Sequence, residues 1–165
     1  KQNPSKAVQK NGNKIAINLL ANAVARSVNF AVSEKKFSAQ INLVSIPSQK
    51  NVIRNRGRDH ISDLISQVII ELCGMGFTAK YLPILSLAKK SKDQSTLNSG
   101  ERLANMKNAY IVNNSLNSQD GIFLIDDLIT TGASIKEGVR ALAEAKITVN
   151  GIITACAVGR NSLIR

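Results

Sequence analysis

Two adjacent carboxylates, Asp126 and Asp127, directly follow four apolar residues, Ile122, Phe123, Leu124 and Ile125. They stand shortly before Thr130, Thr131, Gly132, Ala133 and Ser134. Ionised carboxylates accept hydrogen bonds and donate none, so the pair suits the vicinal hydroxyls of a sugar and repels a phosphate. The hydroxyl-rich stretch behind it has the opposite preference. Backbone N–H groups in a loop that opens a helix lack partners and carry partial positive charge. Gly132 lets the backbone approach an anion closely, and the Thr130, Thr131 and Ser134 hydroxyls can donate to its oxygens. A ligand with a phosphate at one end and a diol a few ångströms away satisfies both halves, which describes a ribose 5-phosphate. A strand followed by a capped helix, with Ser134 and Glu137 as a capping box, accounts for the second half but gives no reason for two adjacent acids.

These side chains need a scaffold. Residues 122–125 form a short β-branched and aromatic run of the kind buried in a parallel sheet, and the acids fall at its carboxyl end, where open α/β sheets bind ligands. A helix over about 134–145 and a last strand over 151–158 should follow. Gly138 inside that helix costs up to ~1 kcal/mol relative to Ala, which close packing on the sheet would justify. Upstream, residues 1–13 read as a loose polar start. Ile15, Leu19, Leu20, Ala23, Val24 and Val28 predict a helix over 14–28. A polar connection over 33–40 leads to a strand over 41–46, stopped by Pro47. A basic loop, 48–59, precedes Ile61, Leu64, Ile65, Val68, Ile69 and Leu72, whose spacing marks an amphipathic helix. A strand over 81–88 sits near a sheet edge because of Pro83. A long charged segment, 89–108, a short strand over 109–112 and an Asn- and Ser-rich connection over 113–120 complete the chain. Alternating strands and helices predict one α/β domain over residues 1–165, with a mostly parallel central sheet flanked by helices.

Other signals exclude alternatives. Gly74-Met75-Gly76-Phe77-Thr78-Ala79 matches a dinucleotide-binding glycine pattern, but a helix precedes it and a strand follows, the reverse of what that site requires. The glycines read instead as a left-handed helix end. No G-x-x-x-x-G-K-[ST] sequence occurs, which counts against an NTPase. Cys73 and Cys156 each lie in an apolar element without metal-ligand spacing and read as reduced core residues. The sequence reads as free of a membrane span or secretory signal, so the expected location is the cytoplasm. It begins at Lys1 without a methionine, and the expectation is a trimmed or partial chain. Net charge is +11, and residues 1–100 hold 15 Lys and Arg against 5 acids, so the excess lies away from the acidic pair. Nucleic acid, a membrane surface or a polyanionic small molecule would each suit it, as would a solvated basic surface.

Residues 122–134 resemble the phosphoribosyl-pyrophosphate (PRPP) motif of the type I phosphoribosyltransferases: four apolar residues, two acids, an apolar residue, any residue, then Thr-Thr-Gly-Ala-Ser. Two further segments resemble the ComF branch of that family, which is associated with competence. Ile46-Pro47, the basic loop and Arg56-Gly57 match its proline-terminated strand and arginine–glycine pair. Gln94, Leu97, Glu101, Arg102 and Asn105 match a later pattern. Where the branch carries Phe-Asn-Gln, this chain has Arg58-Asp59-His60, and the cysteine-rich zinc segment of many members is absent from this sequence. His60, the one histidine, falls where a helix begins, without a matching acid or nucleophile nearby in sequence, and reads as a surface or capping residue.

The resemblance implies a type I phosphoribosyltransferase fold with a small hood region, built here from residues 1–40 and the C-terminal end. It implies transfer of a 5-phosphoribosyl group from PRPP to a nitrogenous acceptor with release of pyrophosphate. Asp126 and Asp127 would hold the ribose hydroxyls, and Thr130, Thr131, Gly132, Ala133 and Ser134 the 5-phosphate. Lys50, Arg54 and Arg56 are the local choice for the pyrophosphate. Arg102 would reach a phosphate from segment 89–108, which closes over the site in such enzymes. Mg²⁺ would arrive bound to PRPP. The alternative is a non-catalytic PRPP-binding or DNA-uptake accessory protein, with DNA attracted by the basic N-terminal part. Nothing in the sequence fixes the acceptor or the oligomeric state, and a homodimer stays open.

Overall fold

Apolar spacing sets the elements, and a glycine or a proline sets several of their ends. The computed structural model describes residues 4–35, 40–47, 60–88, 108–113 and 121–158, with the side chains of the first helix described over 14–34. In chain order the elements are α1 (Pro4–Lys35), β1 (Gln40–Ser45), α2 (His60–Gly74), β2 (Thr78–Tyr81), β3 (Leu85–Leu87), β4 (Tyr110–Val112), β5 (Ile122–Ile129), α3 (Ala133–Glu144) and β6 (Gly151–Ala157). β2, β1, β5 and β6 form, in that order, a wholly parallel sheet, and β3 pairs antiparallel with β4 in a separate ribbon.

Alternation along the central strands sorts the core into two layers. Ile41 and Leu43 of β1 and Phe123 and Ile125 of β5 face α1 and α2, meeting Val24, Val28, Ile61, Ile65, Val68 and Leu72. Val44, Ile122 and Leu124 face the other way, onto α3 and the β3–β4 ribbon, where Ile135, Ala141, Leu142, Leu85 and Tyr110 lie. The mostly parallel sheet flanked by helices is therefore as expected from the sequence. Gly138 fulfils its expected role as well: a Cβ there would stand 2.7 Å from Ile46 Cδ1 and 3.4 Å from Leu124 Cδ2.

Several boundaries differ from expectation. The first helix begins at Pro4 rather than Lys14 and runs to Lys35, so residues 4–13 are helical rather than loose. Proline at a first helical position lacks only a donor that would go unused there. The single strand expected over 81–88 is two strands on different sheets. Leu82 N–H donates to Leu43 O at 2.8 Å, and Pro83 has no N–H with which to continue that ladder. β2 is indeed an edge strand of the sheet. The glycine decoy resolves as a helix end: Phe77 N–H reaches Leu72 O, Gly76 N–H reaches Cys73 O, and Gly76 has φ +90°.

Cys73 and Cys156 are exposed, not core residues. Cys73 follows the buried Leu72 on α2 and is turned past the buried stripe, while Cys156 lies on β6, an edge strand. Against the membrane expectation, one helix segment, Lys14–Glu34, is long and apolar enough to cross a membrane by length and composition alone, with a mean hydropathy of 1.4 over an 18-residue window. One face of that segment, Ala21, Val24, Ala25, Val28 and Val32, is spent on the core. Ile15, Leu19 and Phe30 are exposed.

Candidate functional site

The carboxyl end of β5 reaches past the end of β1. Register pairs Ser45 of β1 with Ile125, so Asp126 is the first β5 residue beyond that partner, and β6 continues alongside it through Thr154. Both acids lie within the strand, which extends to Ile129. Their side chains therefore leave on opposite faces. Asp126 shares the face of Leu124, toward α3; Asp127 shares that of Ile125, toward α1 and α2.

From Ile129 the chain turns through Thr130, Thr131 and Gly132 into α3. Gly132 sits at the helix start with φ 73° and ψ 5°, a left-handed conformation that glycine takes without a Cβ penalty. Its carbonyl accepts from Lys136 N–H at 2.9 Å, the first bond of the helix. Thr131 Oγ1 accepts from Ala133 N–H at 3.4 Å. The N–H groups of Ser134 and Ile135 belong to the first turn, which has no intrahelical acceptors to offer them. No side chain caps the helix, so the capping box of Ser134 and Glu137 is not what this sequence builds. Glu137 is turned away from the helix start, buried and 6% exposed.

A small open cavity of about 50 Å³ lies against this turn. It is lined by Asp126, Leu128, Ile129, and each of Thr130, Thr131, Gly132, Ala133, Ser134 and Ile135. Its volume suits one phosphate-sized group rather than a whole nucleotide, for which pockets usually measure several hundred Å³. One wall offers hydroxyls and first-turn amides, the other a carboxylate. Asp127 does not line it.

Asp126 is 9% exposed and accepts Asp127 N–H on Oδ1 at 2.9 Å. Burial first, and the neighbouring Asp127 charge second, push its carboxyl up to about 6, although backbone N–H groups of Asp127 and Leu128 work the other way. An acid in that range is poised to ionise when a donor or a developing positive charge is placed beside it.

Behind the cavity, β4 is fastened to α3 by polar contacts. Arg140 binds Glu137 through Nε (2.9 Å to Oε2) and Nη2 (2.7 Å to Oε1), and pairs with Glu144 as well. Glu137 Oε1 accepts Tyr110 N–H at 3.3 Å, while Arg140 Nη2 donates to Tyr110 O at 3.1 Å. Burial alone would raise the Glu137 carboxyl, but hydrogen bonds from Arg140 and the Tyr110 N–H outweigh it and hold the group below its ordinary range. Tyr110 is itself buried, in the same apolar cluster as Ala133 and Ile135. Sequence reasoning missed Tyr110 and Arg140. The Glu137–Arg140 spacing of three residues was visible, but nothing local tied it to a tyrosine 27 residues upstream.

Of the residues singled out in the sequence, Asp126, Thr130, Thr131, Gly132, Ala133 and Ser134 converge on the cavity. Lys50, Arg54, Arg56, Arg58, Asp59 and Arg102, with the rest of the basic loop and of segment 89–107, lie outside the described residues. His60 opens α2, as expected. Among the described residues no three His, Cys, Asp or Glu side chains converge as a metal site.

No protein-family model matches the sequence, and no curated protein does. Solved structures do match. A hypoxanthine phosphoribosyltransferase of Trypanosoma cruzi superposes with a TM-score of 0.53 at 9% identity, over 88% of this chain and 66% of that one. Two structures of HPRTs in which an invariant aspartic acid is replaced match with TM-scores of 0.53. The glutamic acid variant is 9% identical over 89% of this chain and 69% of its own; the asparagine variant is 8% identical over 88% and 76%. This chain thus spans just under two thirds of the length of the first. At such identities the likeness is one of architecture, and the chain has the type I phosphoribosyltransferase fold.

Proposed function

We propose that this chain binds PRPP and transfers its 5-phosphoribosyl group to a nitrogenous acceptor, releasing pyrophosphate. The observation that carries the reading is the cavity in which first-turn amides and hydroxyls face the Asp126 carboxylate across a phosphate-sized space. That pairing suits a group negative at one end and rich in hydroxyls at the other. The HPRT-like architecture of the matched structures supports it independently.

In the reaction the bond between sugar C1 and a pyrophosphate oxygen breaks, with its electron pair leaving on oxygen, while the acceptor nitrogen bonds to C1. Positive charge accumulates on the sugar ring as the bond stretches. Placement and electrostatics then supply the catalysis, without a covalent protein nucleophile. Thr130, Thr131, Gly132, Ala133 and Ser134 hold the 5-phosphate. Asp126 accepts from a ribose hydroxyl and, once ionised, favours the cationic ring. Asp127, whose charge acts on Asp126 from the next position, takes the second hydroxyl role suggested by the motif. Lys50, Arg54 and Arg56 receive the pyrophosphate, and Arg102 a phosphate oxygen. A Mg²⁺ held by the PRPP phosphates would supply charge neutralisation at the pyrophosphate. The DNA-handling alternative rests on the basic excess of residues 1–100, much of which lies outside the described residues, and no geometry among the described residues favours it.

The test is thermal denaturation with and without PRPP and Mg²⁺. A ligand at 100 times its Kd stabilises by about 2.7 kcal/mol, a rise of several degrees. Replacing both Asp126→Asn and Asp127→Asn should remove the rise. An unshifted wild type at millimolar PRPP refutes the reading. Pyrophosphate release with a panel of bases and amines then identifies the acceptor.

A further inference from the structure

α1 is apolar on two faces. Ala21, Val24, Ala25, Val28 and Val32 are buried in the core. At about 3.6 residues per turn, Ile15, Leu19, Ala23, Arg26 and Phe30 fall within about 80° of one another on the opposite side, and all five are exposed. Ile15 is 62% exposed, Leu19 68% and Phe30 69%. One exposed leucine is ordinary, but three large apolar side chains along one stripe of a helix mark a contact surface. Charge selects the partner. Residues 1–36 carry six Lys and one Arg against a single acid, Glu34. Lys14 and Arg26 are exposed, and Arg26 Nε donates to Asn22 Oδ1 at 3.0 Å, which lays its stem along the preceding turn. A second copy would set this basic segment against its own like charge. A nucleic acid would take the cations but leave Ile15 and Leu19 without a partner, since bases stack on aromatic side chains. An anionic bilayer surface accepts both: acyl chains take the apolar stripe, and headgroup phosphates take the cations at the ends of long stems.

We propose that the outward face of α1 docks on an anionic phospholipid surface. Ile15, Leu19 and Phe30 enter the boundary between headgroups and acyl chains, and Lys14 and Arg26 reach lipid phosphates. Lys14–Glu34 has the length and composition of a spanning helix, but spanning would pull Ala21, Val24, Ala25, Val28 and Val32 out of the core. The helix therefore lies in the plane of the interface. Because cations supply part of the attraction, binding is reversible and weakens as salt is raised. The proposal goes beyond the PRPP reading and does not depend on it.

Flotation of the full chain with lipid vesicles decides it, using phosphatidylcholine alone against phosphatidylcholine and phosphatidylglycerol in equal parts. Binding is expected to the mixed vesicles and to fall with added salt. Leu19→Ser with Phe30→Ser should weaken it by at least about ten-fold, and Arg26→Gln by about five-fold. These side chains are exposed, so the melting temperature should change little in either variant. The chain has no tryptophan, so Phe30→Trp supplies a single reporter whose emission should shift to the blue on the mixed vesicles. Absent binding to the mixed vesicles, equal binding to phosphatidylcholine alone, binding that the double serine variant leaves intact, or an unshifted Phe30→Trp emission overturns the proposal. A dimer in light scattering that the double serine variant dissociates assigns the face to a second copy. Retention by duplex DNA but not by mixed vesicles assigns the charge to nucleic acid. Either result overturns the proposal as well.

Discussion

The sheet contains two strand–helix–strand units, β1–α2–β2 and β5–α3–β6, each parallel and each adding its second strand beside the first on the outer side. They differ in what joins strand to helix. In the first unit the connection runs over 46–59 and carries Lys50, Arg54, Arg56 and Arg58. In the second it is residues 130–132, with no charge at all. A long basic connection offers side-chain point charges; a three-residue turn offers fixed backbone amides at a helix start. The first suits a multiply charged, variable group, the second a single anion in one place. The helices are anchored differently too. α2 buries Ile61, Leu64, Ile65, Val68 and Leu72, whereas α3 adds the Glu137–Arg140 contacts to β4.

The units meet where Asn42 N–H donates to Gly121 O, and this is where a change should cost most. Gly121 has φ +68°, and a Cβ there would stand 2.3 Å from Gln40 O. Gly121→Ala should lose about 3 kcal/mol in chemical denaturation, whereas Gly74→Ala, with open space around it, should be neutral within about 0.5 kcal/mol.

A second contrast separates the two connections. Gly132→Val, at φ 73°, should cost about 1–2 kcal/mol of stability and weaken ribose 5-phosphate binding by at least about ten-fold through the displaced amides. Arg56→Ala should weaken PRPP but leave ribose 5-phosphate, which has no pyrophosphate, unchanged. Equal losses of both ligands in Arg56→Ala would erase the distinction between the connections.

Asp126 supplies a contrast in pH. Its folded value of about 6 lies above the ordinary carboxyl value near 3.9. Between those two pH values the folded state keeps a proton that the unfolded state has released, so the Asp126 contribution to stability is greatest below about pH 4 and declines as pH rises through 6. Asp126→Asn should therefore raise stability by about 1–2 kcal/mol at pH 7.5 and by almost nothing at pH 4, while impairing the ligand response. A variant no more stable at pH 7.5 would show that burial does not strain this carboxylate.

The smallest effect concerns the two helix ends, which share one geometry. Ile147 N–H reaches Leu142 O and Lys146 N–H reaches Ala143 O, as Phe77 and Gly76 do in α2. The left-handed position is glycine in one, Gly76, and lysine in the other, Lys146 with φ 60°. Lys146→Gly should stabilise by about 0.5–1 kcal/mol and Gly76→Ala destabilise by about 1 kcal/mol in thermal melts.

Local sequence carried the parallel sheet, the α2 stripe, the glycine helix end and the Gly138 contact, because each follows from residue spacing that a neighbouring element must accommodate. The residues of the cavity turn, 130–134, were legible for the same reason: amides and hydroxyls at a strand-to-helix turn lie together by chain connectivity. Other features depended on distance in sequence. That β5 outruns β1, so that Asp126 is buried on one face and Asp127 falls on the other, is a matter of register between strands about 80 residues apart. That Cys73 and Cys156 are exposed depends on which faces their neighbours cover. Tyr110 is held against α3 because Glu137 and Arg140 bind its backbone across two elements. Spacing along the chain specified the local chemistry of this protein; side-chain burial and cross-element pairing, which only the folded chain creates, decided which groups share a cavity.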